Sequence, residues 1–212
     1  MQEISEAERE ELVAESIKDG ITYPKYQAIV GQHAESFTST GHTQTEALSN
    51  YTQLNACRMN RWGKHFKLSE KQMAIVSKLN KKLNWLVLTE SWCGDAAHTM
   101  PVMHEIARQN EHLELLVLLR DDHPQLMDAF LTNENKSIPK LIAQDPESGT
   151  IVFTWGPRPA PAAGMVVECK KAYGTLPPEF KEDLQRWYNK DKGNHTAKEL
   201  LSLLKAFIKA TS

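Results

Sequence analysis

The stretch from Trp85 to Ala107, WLVLTESWCGDAAHTMPVMHEIA, restricts the fold more than any other part of the chain. It opens on a strand at 86–90 that is apolar through Leu88, breaks at a turn around Trp92-Cys93-Gly94, and continues with Met100, Met103, Ile106 and Ala107 at helical spacing. An apolar run without alternation reads as a strand buried on both faces, the kind found in parallel sheets with helices on either side. A second such run, Leu113 to Leu119, follows the helix and supplies the parallel neighbour. Residues 141–155, LIAQDPESGTIVFTW, then give two short strands about an Asp-Pro-Glu-Ser-Gly turn, the pattern of an antiparallel hairpin. The expected fold class is α/β, a mixed central sheet flanked by helices.

Taken in order, the strand, the turn Trp92-Cys93-Gly94-Asp95-Ala96, the helix carrying Pro101, and the later string Ser137-Ile138-Pro139-Lys140-Leu141 resemble the thioredoxin family. The resemblance implies a thioredoxin-like three-layer domain over residues 84–172, closed by a helix from Arg158 to Ala172. It implies Cys93 as the catalytic nucleophile and a cis peptide before Pro139. Trp92, Gly94, Asp95, Ala96, Ile138 and Pro139 would then form the motif and substrate groove. The family's dithiol motif is Trp-Cys-Gly-Pro-Cys; here Asp95 stands at the proline and Ala96 at the second cysteine. Val87 stands where thioredoxins carry an acidic residue six positions before the first cysteine. Glu90, the nearest upstream carboxylate, is the candidate proton acceptor, and a solvated strand-end acid is the alternative.

A cysteine at a helix N-terminus meets unpaired amides and the positive end of the helix dipole, both of which favour thiolate. Asp95 adds negative charge in the same turn and should push the thiol pKa back up, unless its carboxylate caps the helix amides instead. Without a second sulfur at position 96, a mixed disulfide on Cys93 needs an external thiol for release, such as glutathione. Cys57 and Cys169 read as buried small hydrophobes, and the three cysteines have no CxxC spacing. Two readings follow. One is monothiol exchange through Cys93 with protein thiols, disulfides or glutathione. The other is a non-catalytic module that binds a peptide or protein in the same groove. Cys93, Asp95, His98, Met100, Met103 and His104 are close in sequence, but on a helix they point in several directions and the methionines fit the core stripe. No metal site and no cofactor are expected.

The remainder organises around this unit. Apolar spacing predicts helices over 4–18, 26–37, 45–62 and 69–83, so residues 1–83 read as a helical extension, either a packing layer or an arm for a partner. Residues 173–212 read as a tail with helices near 179–189 and 196–209. With 212 residues, 41% of them hydrophobic, the chain can bury one good core. A net charge of -2 with interspersed signs gives no footprint for nucleic acid. No apolar run approaches the ~20 residues that span a bilayer, so no membrane partner is expected. The start, Met-Gln-Glu-Ile-Ser-Glu-Ala-Glu, is acidic where a secretory signal is basic then apolar, which predicts a cytoplasmic location.

Overall fold

A computed structural model of the chain describes residues 4–211. Met1, Gln2 and Glu3, on which the acidic start partly rests, lie outside the described residues, as does Ser212 at the end of the expected tail. The described residues form five strands: β1 (Ile21–Thr22), β2 (Leu83–Thr89), β3 (Leu113–Leu119), β4 (Lys140–Gln144) and β5 (Ile151–Trp155). They make one mixed sheet in the order β1-β3-β2-β4-β5. β2 and β3 run parallel, with Val87 opposite Val117, and β4 is antiparallel to both β2 and β5. Leu83 and Trp85 to Leu88 are buried on both faces of β2, as the unalternating apolar run requires.

Around the sheet lie α1 (Glu6–Ser16), α2 (Tyr23–Glu35), α3 (Glu46–His65), α4 (Glu70–Val76), α5 (Gly94–Ala107), α6 (Pro124–Ala129), α7 (Ala160–Tyr173), α8 (Pro178–Asp191) and α9 (Asn194–Thr211). α3 packs on α2 and α5, α9 on α4, α5 and β5, and α1 on α6. Ser5 and Ser69 each close a capping box, with Glu8 and Gln72 reaching back to the cap amide, so α1 and α4 start where their side chains satisfy the first free amides. α4 stops at Val76 rather than running on to 83, because Leu83 is already paired with Leu113 in the sheet. The amino-terminal segment is not wholly helical either: Ile21 and Thr22 pair with Val117 and Leu116.

One buried core joins the amino-terminal helices, the sheet and α9 among the described residues. Val13, Tyr26 and Met59 from the amino-terminal helices, Trp85 and Val117 from the sheet, and Leu200 and Leu204 from α9 belong to one buried cluster. A smaller cluster joins Ala162 and Val166 of α7 to Leu184 and Tyr188 of α8. No helix among the described residues is long and apolar enough to cross a membrane.

Candidate functional site

Cys93 is the N-cap of α5, and its Sγ accepts the amide hydrogen of Ala96 at 3.4 Å. The thiol hydrogen is donated to the carbonyl of Ile138 at 3.2 Å. Ile138 and Pro139 are joined by a cis peptide, and both are buried beside the sulfur. Trp92 is half-buried, with the Arg120 guanidinium 4.9 Å from its ring centroid. The turn of Trp92, Cys93, Gly94, Asp95 and Ala96 and the loop of Ile138 and Pro139 therefore meet at one point, at the ends of β2 and of the segment leading into β4.

Cys93 is only 6% exposed. Burial pushes its thiol pKa up to about 12, the Asp95 carboxylate pushes in the same direction, and the Ala96 amide and Arg158 act against both. Charge stabilisation by the helix end is thus outweighed, and the sulfur is held as a thiol that donates a hydrogen bond. Asp95 does not cap the helix amides. Its Oδ1 accepts from the Tyr188 hydroxyl at 2.8 Å, and its Oδ2 faces Arg158 Nη2 at 2.7 Å. Burial raises its pKa, while Arg158 and Tyr188 oppose the rise. The carboxylate is the form that both donors are positioned to meet.

His98 sits one turn further along α5 in a fixed tautomer. The Trp62 indole, which can only donate, gives its hydrogen to Nδ1 at 2.8 Å, so Nδ1 is bare and Nε2 carries the proton that goes to Gln185 Oε1 at 2.7 Å. The ring stacks on Tyr188 with a centroid separation of 4.5 Å and an interplanar angle of 1°. Burial lowers its pKa from 6.5 to about 4. A second proton would also have to displace the indole hydrogen from Nδ1.

Two segments cover the turn. α8 lies over it through Gln185 and Tyr188, and a Cβ built on Gly94 would stand 3.6 Å from Gln185 Nε2 and 3.8 Å from Arg58 Nη1. From β5 the chain passes through Gly156, Pro157 and Arg158. Gly156, at φ +120°, lies so close that a Cβ there would be 2.2 Å from the Pro139 carbonyl oxygen. This backbone fits only without a side chain.

Behind the sulfur, Ser91 is bound from both sides. Its amide donates to Thr40 Oγ1 at 2.7 Å and its Oγ accepts from the Thr40 amide at 2.9 Å. Asn55 Nδ2 donates to its carbonyl at 2.9 Å. The Thr52 hydroxyl hydrogen is given to Leu48 O, so Ser91 donates its own to Thr52 Oγ1 at 2.8 Å. Glu90 is fully buried, not a solvated strand-end acid. Its carboxylate accepts from the Thr40 hydroxyl and from the Asp121 amide at 2.9 Å. Burial raises its pKa. Both oxygens are engaged by the 40 and 121 loops, and neither of these bonds reaches the thiol.

Cys169 is buried, whereas Cys57 is exposed, against the reading of both as buried small hydrophobes. α3 turns Thr52, Asn55, Met59 and Trp62 inward instead. Met100 and Met103 are fully buried in the core. Tyr188, Gln185, Arg158, Thr40 and Trp62 complete the site, and none carries a local motif by which sequence could have singled it out.

A family model described as Thioredoxin matches residues 41–174. No curated protein matches the chain. Among solved structures, a protein of unknown function from Pseudomonas aeruginosa is similar at a TM-score of 0.53 and 16% identity, over 72% of this chain and 85% of that one. An HIV epitope scaffold is similar at a TM-score of 0.57 and 16% identity, over 91% and 97% of the two chains. At these identities the likeness is one of fold.

Proposed function

The chain belongs to the thioredoxin family, and we propose on that premise that Cys93 is the single sulfur of a monothiol exchange centre, covered and protonated at rest. The observation that carries this reading is the placement of one sulfur between the Ala96 amide and the Ile138 carbonyl, at the start of a helix. Once α8 moves off the turn, water and substrate reach the sulfur, the desolvation that holds its pKa high falls away, and the amide and helix end act on a thiolate. That thiolate attacks one sulfur of a disulfide, forming the Cys93 mixed disulfide and releasing the other half as its thiolate. An external thiolate then attacks the mixed disulfide, regenerates Cys93 and leaves with the bound half. With the thiol pKa near 12 the thiolate fraction at pH 7 is on the order of one part in 100,000, so exchange in the closed form is negligible.

The test uses protein with Cys57 and Cys169 replaced by serine, exposed to oxidised glutathione at pH 7 and read by mass. The parent should react slowly, and a Tyr188→Ala variant, which removes both the Asp95 bond and the His98 stack, should form the Cys93 adduct at least tenfold faster. Equal, negligible adduct in both would sink the exchange reading.

One observation favours the non-catalytic alternative: Cys93 is only 6% exposed and its thiol hydrogen already has an acceptor. In that reading the turn binds a peptide or protein without chemistry, and Cys93→Ser leaves binding intact. Under exchange, Cys93→Ser abolishes partner trapping.

A further inference from the structure

We propose that the cavity beside the edge strand β5 is a binding site for a small organic anion, in which Lys140 and Arg9 take a carboxylate or phosphate head and Phe130, Leu131 and Ile151 hold an apolar body. The inference is independent of any chemistry at Cys93.

The cavity has a volume of about 540 Å³ and lies between α1, α6 and the β4 and β5 strands, with the five residues named above in its wall. That is within the range of small-molecule sites, which pair apolar walls with a few placed polar groups. Lys140 is the unusual member. It is 7% exposed, yet its ammonium, with three hydrogens to give, makes one hydrogen bond, to Thr132 Oγ1 at 3.2 Å. It takes part in none of the ion pairs among the described residues. Burial lowers its pKa, and Arg9, a charge of like sign, lowers it further.

Two carboxylates also reach the cavity wall, Glu6 and Asp128, but neither neutralises Lys140. Asp128 is already paired with Lys136 at 2.7 Å, and Glu6 lies exposed in the first turn of α1. The Lys140 side chain is largely buried and its ammonium faces the cavity without a counter-charge, so an anion entering there would supply one while meeting Arg9 as well. Lys140 Nζ retains two hydrogens for that anion, and charge-assisted bonds of this kind are the stronger class. The half-buried Leu131 and Ile151, with Phe130 behind them, leave apolar surface for the rest of the ligand.

Isothermal titration at constant ionic strength tests this, with phenyl phosphate, inorganic phosphate and benzyl alcohol as probes on the full chain. Phenyl phosphate should bind saturably at one site, inorganic phosphate more weakly, and benzyl alcohol not at all. Lys140→Met, close to isosteric and uncharged, should weaken phenyl phosphate at least about tenfold, and Arg9→Gln several-fold. No saturable binding of phenyl phosphate up to about 20 mM, or native affinity in Lys140→Met, overturns the proposal. If circular dichroism shows Lys140→Met unfolded, Arg9→Gln decides, because Arg9 is exposed and outside the core: unchanged affinity there overturns it.

Discussion

Tyr188 gives its hydroxyl hydrogen to Asp95 at 2.8 Å, tying a helix near the end of the chain to the second variable position of the Cys93 turn. The same ring lies flat on His98. One side chain of α8 therefore restrains both the acid that raises the thiol pKa and the imidazole beneath it.

Replacing Asp95 by Asn removes a negative charge that disfavours the thiolate and leaves Arg158 without its partner beside the sulfur. The Cys93 pKa should fall below about 12, seen as faster iodoacetamide labelling at pH 8.5 in protein lacking Cys57 and Cys169. Since a buried ion pair loses one member, urea denaturation should show a loss of about 3 kcal/mol. Labelling no faster than in the parent would show that the Asp95 charge adds nothing to the rise that burial causes.

His98 makes stability depend on pH in a defined direction. Its pKa is lowered from 6.5 to about 4 on folding, so between those values the unfolded chain takes up a proton that the native chain refuses. The contribution is intact above pH 6.5 and is lost as pH falls toward 4, by about 2 kcal/mol between pH 7 and pH 5. Asp95 and Glu90, with raised pKa values, act oppositely, losing stability as pH rises through their folded pKa. The histidine share is isolated by subtracting the same curve for His98→Gln, and a difference curve flat between pH 5 and pH 7 would contradict the assignment.

Ala96→Cys restores the second sulfur where the Ala96 amide already points at Cys93 Sγ. The folded variant should form a disulfide between Cys93 and the introduced thiol on mild oxidation and gain reductase activity on a generic protein disulfide. Two free thiols in a folded, oxidised variant would mean that the turn differs from the dithiol geometry of the family.

Thr40 is buried between Ser91 and Glu90, with its amide and hydroxyl both engaged. Thr40→Ala strands the Ser91 amide and one Glu90 oxygen and should cost about 1 to 3 kcal/mol in denaturant titrations. Thr40→Ser, which keeps the hydroxyl, should recover most of it.

What could be read from the sequence was local. The Trp85 to Ala107 segment specifies strand, turn and helix through its own apolar runs, and the 145–149 turn is held by its own Asp145, whose Oδ1 accepts from the Glu147 amide at 2.8 Å. Cys57 shows why the amino-terminal half was harder. The inward stripe of α3 includes Ser49, Thr52 and Asn55, polar residues buried because two of them bond the Ser91 turn. A stripe chosen by hydrophobicity is thus rotated from the true one, and Cys57 falls on the wrong side. β1 is two residues long, too short for any alternation to register. Asp95 was visible as a charge beside the sulfur, but Tyr188 and Arg158, which decide where its carboxylate points, are brought to it only by tertiary folding.

Cys93 and Tyr188 stand 95 positions apart. At a synthesis rate of about 5 to 20 residues per second, the growing chain carries its sulfur for roughly 5 to 20 seconds before the side chain that covers the turn exists. Cys93 is thus made well before the Tyr188 ring that ties down Asp95 in the finished molecule, and its turn takes that restraint only when the end of the chain arrives.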